Sequence, residues 1–276
     1  ANPDFGQVEA DPSEVNLSAF ESFFEEKRPF FVEGSSIYNY PLTAGDGPFS
    51  SDNLFYSRRI GRQPHYEPEL LDEEYSDSPE FTTILGAVKL SGKTENGWSI
   101  GVLESLTREE KITIDFNGEQ RKEITEPTTN YFNTRIQKDF NNGNTQVGGM
   151  ITATNRFIND STLEFLPTSA YTSGLDFTKF WDEKSYYLAT RAIVSVVNGS
   201  AEAITDIQES PQHYFQRSDS KHLKVDTTLT SLSGHGGTVE GGKIGGGHWS
   251  FGGWTTWRSP GLELNDMGYL RISDFI

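Results

Sequence analysis

The sequence predicts an all-β protein: an antiparallel up-and-down transmembrane β-barrel, of which we expect this chain to carry an incomplete segment. Aromatic residues make up 13% of the chain and glycine occurs 27 times, while hydrophobic residues reach only 34%. That mixture favours many strands and tight turns over packed helices. From about residue 82 onward, apolar and polar residues alternate in runs of roughly ten to thirteen, the period of strands with two different faces. Tight turns and long polar connections alternate between these runs, which is the asymmetry of an outer-membrane barrel.

Residues 1–80 are predicted to form an N-terminal acidic plug or cap region that contains one short helix. In NLSAFESFFEEK, Asn16 is placed to cap the helix, and Pro29 follows the stretch and ends it. Beyond Pro29, FFVEGSSIYNYP is strand-like. The helix would carry one apolar stripe, which another part of the protein must cover. The stripe consists of Leu17, Phe20, Phe23 and Phe24.

Residues 81–276 are predicted to hold the barrel strands, and YFNTRIQKDF shows their pattern clearly. Phe132 and Phe140 face one way, whereas Asn133 and Arg135 face the other. One face of the strand is therefore apolar and the other polar. TTILGAVKLSG, SYYLATRAIVSVV and HWSFGGWTTWRS alternate in the same way, with Ile84, Val88 and Leu90 sharing a face in the first and Trp254 standing on the polar face of the last.

The connections between strands fall into two lengths. Short turns, two of them with Asn-Gly chemistry, close hairpins, and the strands between them are as long as the roughly nine to eleven tilted residues that cross a bilayer core. About eight strands are expected after residue 82, with a ninth in LELNDMGYLRI, so a larger barrel cut short fits better than a complete one. The turns lie at 95–97, 141–144 and 182–184, and the long polar connections at 108–129, 157–168 and 198–225.

The totals exclude several classes of protein. The formal net charge of −17 argues against a nucleic-acid partner, because phosphate binding needs a basic face. The absence of cysteine excludes disulfides and thiolate metal sites. The chain opens with ANPDFGQ, without an initiator Met or a leader, and we expect a mature chain or an internal segment.

Long stretches of the chain resemble one bacterial family of unknown function. They include NPDFGQVEADPSEVNLSAFESFFEEKRPFFVEG, LFYSRRIGR, NYFNTRIQKDFNNGNTQVGGMITATNR and SPGLELNDMGY. The resemblance implies an outer-membrane-type β-barrel that commonly follows a β-sandwich similar to a family-nine carbohydrate-binding module. It therefore implies a place in the bacterial outer membrane, contact with its lipid and lipopolysaccharide, and a glycan or small solute as ligand. It carries over no catalytic residue.

Charged residues of the N-terminal region are candidates for ion pairs in the barrel lumen. In FFEEKRPFFVEG, four charges stand between two aromatic pairs, and a polar, partly filled lumen accommodates both kinds of side chain. The hypothesis requires a carboxylate within reach of Arg28 and a buried Phe30 or Phe31. Ion pairing is favoured over a ligand contact or an anion-selective pore. The candidates are Glu25, Glu26, Lys27, Arg28, Arg58, Arg59 and Arg62.

Aromatic residues near the strand ends are candidates for the two girdles that mark the membrane interfaces of a barrel. In a soluble sugar-binding protein the same residues would form a stacking platform, and the girdle is favoured because the positions recur at the turns. The candidates are Trp98, Tyr131, Phe140, Trp181, Trp249 and Trp257.

Metal and catalytic sites have weaker support. Clustered carboxylates leave calcium open, although none has the spacing of a known calcium loop. No cofactor is predicted, and we do not expect an enzyme. The alternatives are a soluble or surface all-β carbohydrate-binding module and, second, a glycoside-active enzyme. The carboxylates are Asp4, Glu9 and Asp11, or Asp46 and Asp52, and the histidines weighed for a shared metal are His213, His222, His235 and His248.

Overall fold

A computed structural model of the protein describes residues 11, 15–43, 51–219 and 221–275. The fold is all-β, with two antiparallel sheets and few helices, so the predicted fold class is confirmed at this level. The helices are α1 (Pro29–Val32) and α2 (Ala201–Glu209); the strands are β1 (Tyr75–Asp77), β2 (Ile84–Lys93), β3 (Trp98–Thr107), β4 (Glu110–Phe116), β5 (Glu119–Glu126), β6 (Thr128–Phe140), β7 (Thr145–Phe157), β8 (Ser169–Trp181), β9 (Tyr186–Asn198), β10 (Ser231–Lys243) and β11 (Phe251–Arg258).

The larger sheet contains eight antiparallel strands in the order β11-β10-β9-β8-β7-β6-β3-β2. It is an up-and-down meander that is interrupted once, where β4 and β5 leave it and join β1 in a three-stranded sheet. Each strand from β6 to β10 is 13 residues long. Within the described residues β2 and β11 end the sheet, and no closed barrel is formed.

The tight turns lie at one end of the large sheet and the long connections at the other. Two long connections are not the irregular loops that the sequence suggested: 108–129 contains the β4–β5 hairpin and 198–225 contains α2. Asn117 and Gly118 adopt φ angles of 53° and 89° and close the hairpin. The Ser200 hydroxyl caps α2 by accepting a backbone N–H bond at 2.9 Å. The Asn-Gly turn and the Ser200 cap are both short sequence signals within strongly polar segments, where they are easily missed.

The helix predicted over NLSAFESFFEEK is wrong, since the stretch has no helix in the structure. The Asn16 side chain accepts a bond from Ser18 N at 2.9 Å and donates one to Phe20 O at 2.6 Å, and such local bonds compete with helix formation. Pro29 opens α1 instead of ending a helix, because the first helical turn does not need its missing N–H. FFVEGSSIYNYP is therefore not strand-like: it forms α1 and a 3₁₀ turn at Ser35–Ile37.

The ninth strand predicted in LELNDMGYLRI is also wrong. The stretch forms turns, and a single isolated bridge joins Tyr269 to Asn53. The Arg59 side chain donates to Gly268 O at 2.9 Å, so N-terminal residues take up backbone groups that a strand would have paired. The apolar side chains of the stretch are buried instead of alternating, and they are Leu262, Leu264, Met267 and Leu270.

A β-bulge changes the predicted face of Ile84. The register between β2 and β3 shifts between Ile84 and Gly86. Ile84 is therefore only 8% exposed, whereas Val88 and Leu90, predicted to share its face, are 73% and 67% exposed.

The main core lies against one face of the large sheet. There, Phe31, Tyr40 and Leu54 from the N-terminal region meet Leu103 of β3 and Met150 of β7, together with the C-terminal turns. A second, smaller cluster packs Ile204 of α2 and its neighbours at the end that carries the long connections. In the described part of the chain, no helix has the length and apolar character needed to cross a membrane.

Candidate functional site

Alternate residues of the large sheet form an exposed face, here called the outer face, and this face is apolar. Val88, Ile136, Ile151, Leu175 and Val194 come from five different strands and are between 46% and 73% exposed. An apolar area of this extent marks contact with an apolar phase or a partner. Further exposed members of the same face are Leu90, Ile100, Leu106, Val147, Leu188, Val196 and Val239.

The opposite face, here called the inner face, is covered and largely polar. One cross-strand row runs through Asn133, Thr152, Thr172 and Ser195, none of which is more than 5% exposed. Thr152 and Thr172 share a hydrogen bond of 2.6 Å, and the Ser195 hydroxyl accepts a bond from Glu263 N at 3.0 Å. The sheet therefore buries most of its polar strand residues and exposes many of its apolar ones, whereas a sheet in a soluble sandwich does the reverse. Leu103, Met150 and Ile193 are apolar exceptions on the inner face and belong to the core.

Aromatic side chains of the outer face lie near both ends of the strands. Trp98, Phe140 and Trp181 stand at the tight-turn end and are 42% to 46% exposed, while Phe157 and Tyr171 stand at the other end. Tyr171 and Trp181 are ten residues apart on β8. That separation is about 33 Å along the strand, or roughly 25 Å in height for a strand tilted by about 40°, which matches the apolar band of outer-membrane barrels.

Of the other three predicted interface aromatics, Tyr131 and Trp249 do not lie on the outer face. Tyr131 is buried on the inner face at 2% exposure, so its predicted contact with a membrane interface is wrong. Because side chains alternate along a strand, Tyr131 points to the other face of β6 from Phe132 and Phe140. Trp249 precedes β11 and is 81% exposed, and Trp257 is half-buried at the far end of the outer face.

The charged block of the N-terminal region is folded against neighbouring backbone. Arg28 binds the Glu26 carboxylate at 2.7 Å and donates to the carbonyls of Ser57 and Ile60 at 2.9 and 2.7 Å. Burial raises the pKa of Glu26, but the bonds from Arg28 and Ser57 outweigh burial and hold that pKa below its ordinary value. Phe31 beside Arg28 is only 4% exposed.

The other candidates in this group differ in their partners. Lys27 lies 3.6 Å from Asp11, and Arg58 binds the same carboxylate at 2.7 Å while donating to the Glu25 backbone carbonyl. Arg59 binds Glu21 at 2.7 Å. Within the described chain, the remaining candidate, Arg62, makes no ion pair and no side-chain hydrogen bond.

Three further arginines on the strands of the inner face carry ion pairs that the sequence did not single out. Arg135 of β6 donates to Asp176 of β8 at 2.9 Å, and Arg156 of β7 lies 2.5 Å from Asp266. The alternating pattern placed Arg135 and Arg258 on the polar face, but the partners of all three arginines come from other strands or from distant parts of the chain. The third pair, Arg258 with Asp52 at 2.8 Å, is fully buried.

The N-terminal region is seated on the inner face through its tyrosines. The Tyr38 hydroxyl donates to the Leu90 carbonyl at 2.9 Å, and the Tyr40 hydroxyl donates to the Leu175 carbonyl at 2.7 Å. Glycine in the sheet makes this approach possible, since a Cβ at Gly174 would stand 2.7 Å from the Tyr40 ring. The covering segment thus fits the shape of the sheet beneath it.

His213 forms the arrangement that most resembles a catalytic triad. Its Nε2 lies 2.7 Å from a Glu263 oxygen, and its Nδ1 lies 3.0 Å from Ser273 Oγ and 2.8 Å from the Pro260 carbonyl. An Nδ1 that donates to the carbonyl is unable to take a proton from serine. All three triad-like side chains are also buried, so the cluster fits a structural role.

Metal ligands do not come together in the described part of the chain, where no group of three or more histidines or carboxylates has the geometry of a metal site. Asp52 is bound by Arg258, and His222 lies 3.1 Å from Asp274, so these two groups serve protein contacts. The calcium candidates Asp4, Glu9 and Asp46 lie outside the described residues.

A family model described as "Domain of unknown function (DUF5916)" matches residues 2–276. No curated protein and no solved structure matches the chain.

Proposed function

The chain belongs to the DUF5916 family, whose function is unknown, and we propose that it is an outer-membrane β-barrel segment that acts as a plugged pore or membrane scaffold. The polarity of the two sheet faces carries this proposal. An apolar outer face is stable in contact with lipid, and a polar inner face suits a lumen. The aromatic residues at both ends of the outer face add the girdles expected of such a sheet.

The N-terminal region acts as the plug in this proposal. Tyr38 and Tyr40 bind sheet carbonyls, and Arg28, Arg58 and Arg59 are paired with carboxylates, so the region fills the inner face instead of lining an open channel. The resting state is therefore closed. A link to carbohydrate handling rests on the family resemblance of the sequence alone.

A soluble carbohydrate-binding module is the rival proposal, and it accounts less well for the outer face. Sugar platforms are small aromatic patches, whereas the middle of this face consists of aliphatic side chains on five or more strands. A glycoside-active enzyme has no supporting cluster among the described residues, since the His213 group is buried.

Single-tryptophan variants would test the membrane assignment. Trp181 lies on the outer face. Trp254 pairs with Glu240 of β10, so it belongs to the inner face by strand alternation, and it is 55% exposed. In phospholipid vesicles, we expect brominated lipid to quench a variant that retains only Trp181 and to leave one that retains only Trp254 accessible to aqueous iodide. A chain that is monodisperse and folded in plain buffer, with both tryptophans quenched equally by iodide, would overturn the proposal.

Conductance would separate a pore from a scaffold. In planar bilayers, we expect no current from the intact protein and ion current after deletion of residues 23–34, which include the Arg28–Glu26 pair. If the deletion variant inserts into the bilayer but conducts no ions, the pore is excluded and the scaffold is the remaining proposal.

A further inference from the structure

We propose that the tight-turn end of the outer face binds anionic phospholipid, whose head-group phosphates contact three lysines, here called the lysine band. The proposal rests on the membrane assignment proposed above, and it adds a lipid class and an orientation. The lysine band consists of Lys138 of β6, Lys179 of β8 and Lys243 of β10.

The cations of the large sheet are divided between its two faces by residue type. Every arginine in the eight described strands has an inner-face position by strand alternation, as do Lys89 and Lys93. In these strands, the cations at outer-face positions are the three lysines of the band, each at most two residues before the tight-turn end of its strand. Near the opposite end, the outer face carries a carboxylate, Glu104.

The register of the strands places the lysine band at one height in a tilted sheet. Lys138 is aligned through β7 with Phe177, two residues before Lys179. Lys179 is aligned through β9 with Gly241, again two residues before Lys243. A shift of two residues over two strands is about 6.6 Å along the strands and about 9.6 Å across them, an angle of roughly 35°. Because the strands of membrane barrels tilt by about 35–45°, the band runs level with the membrane surface.

Aromatic rings lie beside the lysines at the edge of the apolar area. The Lys138 ammonium is 5.1 Å from the centre of the Trp98 ring, and the Lys243 ammonium is 5.7 Å from the centre of the Tyr186 ring. An ammonium has three donors and a ring covers one side of it, so donors remain for a ligand outside the sheet.

The lysine band is not neutralised by the described part of the protein. Lys179 donates to the Thr145 hydroxyl at 2.9 Å, but in that part of the chain the salt bridges of lysine belong to residues outside the band. Lys93, at the same end of the inner face, binds Asp139 at 2.6 Å. The outer face therefore presents positive charge without a protein partner, and phosphate is the complementary group.

The position of the lysine band favours a lipid as the source of the phosphate. A lipid beside the band buries its acyl chains against the apolar outer face, whereas a free phosphate ion gains only the charge contact. In outer-membrane barrels the short turns lie on the periplasmic side. The tight-turn end of this sheet is thus assigned to the periplasmic, phospholipid leaflet.

Quenching by brominated lipid would measure the lipid preference at each end of the outer face. One reporter retains Trp181 alone, two residues from Lys179, and the other carries Tyr171→Trp at the opposite end as its single tryptophan. In vesicles of phosphatidylglycerol and phosphatidylcholine with one lipid brominated, we expect phosphatidylglycerol to be enriched roughly threefold to fivefold at Trp181. We expect no enrichment at the Tyr171→Trp reporter, and loss of the Trp181 enrichment at high salt.

Two triple variants with the same change in net charge would assign the preference to the lysine band. Lys138→Gln, Lys179→Gln and Lys243→Gln together should abolish the enrichment at Trp181, while arginine at the same three positions should preserve it. The matched control changes three lysines that lie off the outer face, and it should keep the enrichment. Its substitutions are Lys93→Gln, Lys111→Gln and Lys122→Gln.

The outcomes separate this proposal from the membrane assignment. If neither brominated lipid quenches Trp181, this end of the outer face does not contact lipid and both proposals fail. If both lipids quench Trp181 equally, or if the control variant loses the enrichment as fully as the band variant, the lysine band is overturned while the membrane assignment stands.

Discussion

The outer and inner faces of the large sheet are built from the same strands, yet they follow opposite rules. On β9, Val194 and Val196 are 54% and 39% exposed, while the intervening Ser195 is 1% exposed. A strand in a soluble sandwich would cover the valines and expose the serine. The difference shows that the apolar residues of the outer face do not form the core, which takes its apolar side chains from the inner face and from both ends of the chain.

Burying a polar face requires partners for its polar groups, and the structure supplies many of them from distant parts of the chain, although the Asn133 side chain has none among the described residues. Thr238 of β10 donates to the Leu42 carbonyl and binds Thr256 at 2.9 Å. Arg258 of β11 binds Asp52 of the N-terminal region. The inner face is thus held by specific pairs, whereas the outer face needs only an apolar environment. The following predictions test that contrast, from the largest expected effect to the smallest.

Removing the charge of Arg258 should have the largest effect on folding. Arg258→Met leaves the Asp52 carboxylate buried without its cation, and we expect the free energy of unfolding to fall by about 3 to 5 kcal/mol. Denaturant titration followed by tryptophan fluorescence would measure the loss. The control is Lys111→Met, which removes an exposed pair with Glu109 and should cost about 1 kcal/mol or less. Equal losses in the two variants would contradict the assigned role of the inner-face pair.

A charge in the middle of the outer face should act only when lipid covers that face. Leu175 is 68% exposed, and in vesicles we expect Leu175→Arg to cost about 2 to 4 kcal/mol of folding free energy. Trp181→Arg, at the end of the same strand, should cost about 1 kcal/mol or less, because an arginine there reaches the interface. Urea unfolding in vesicles gives both values. If Leu175→Arg costs under about 0.5 kcal/mol, as at an ordinary water-exposed site, the outer face does not contact lipid.

The Asp52 carboxyl should give a smaller, pH-dependent effect. Burial raises its pKa from 3.8 to about 6, although Arg258 opposes the shift. The folded protein therefore holds the Asp52 proton more tightly than the unfolded chain, and the stability from this group is complete below about pH 4 and is lost as the pH rises through 6. Between pH 4.5 and 7, we expect the unmodified protein to lose about 2 kcal/mol relative to Asp52→Asn.

The comparison with Asp52→Asn is needed because other buried carboxylates act in the opposite direction. The pKa values of Glu26 and Glu263 lie below their ordinary range, since bonds from Arg28 and His213 outweigh burial. The stability that these two carboxylates give to the folded protein is therefore lost as the pH falls. Both proteins share them, so the difference between the two unfolding free energies isolates Asp52. A difference that does not change with pH would show that Asp52 keeps its ordinary pKa.

The strands of the large sheet were largely predictable because alternation is a local signal. YFNTRIQKDF and SYYLATRAIVSVV lie in β6 and β9, with the predicted residues on each face. The bulge at Ile84 was not predictable, because a single shift in register leaves the composition of the strand unchanged. The hairpin at Asn117 and the cap at Ser200 had local signals that were weak against their polar surroundings.

The terminal segments and the site were less predictable. The sequence placed Arg135 on a polar strand face, but it gave no indication that Asp176, two strands away, is its partner. Apolar periodicity predicted a helix over NLSAFESFFEEK, whereas Phe23 stacks on Tyr56 at 4.8 Å and meets Tyr269 at 5.2 Å. Contacts of this kind join residues far apart in the chain, and no local pattern specifies them.

By itself, the sequence determined two sets of residues along each strand, one apolar and one polar, because the side chains of a strand alternate between faces. Only the tertiary structure decided which set is covered. The residues that cover the inner face, among them Tyr40, Asp52 and Leu264, come from both ends of the chain and are held by contacts with many strands at once. The free energy of that packing depends on long-range proximity, which local periodicity does not encode.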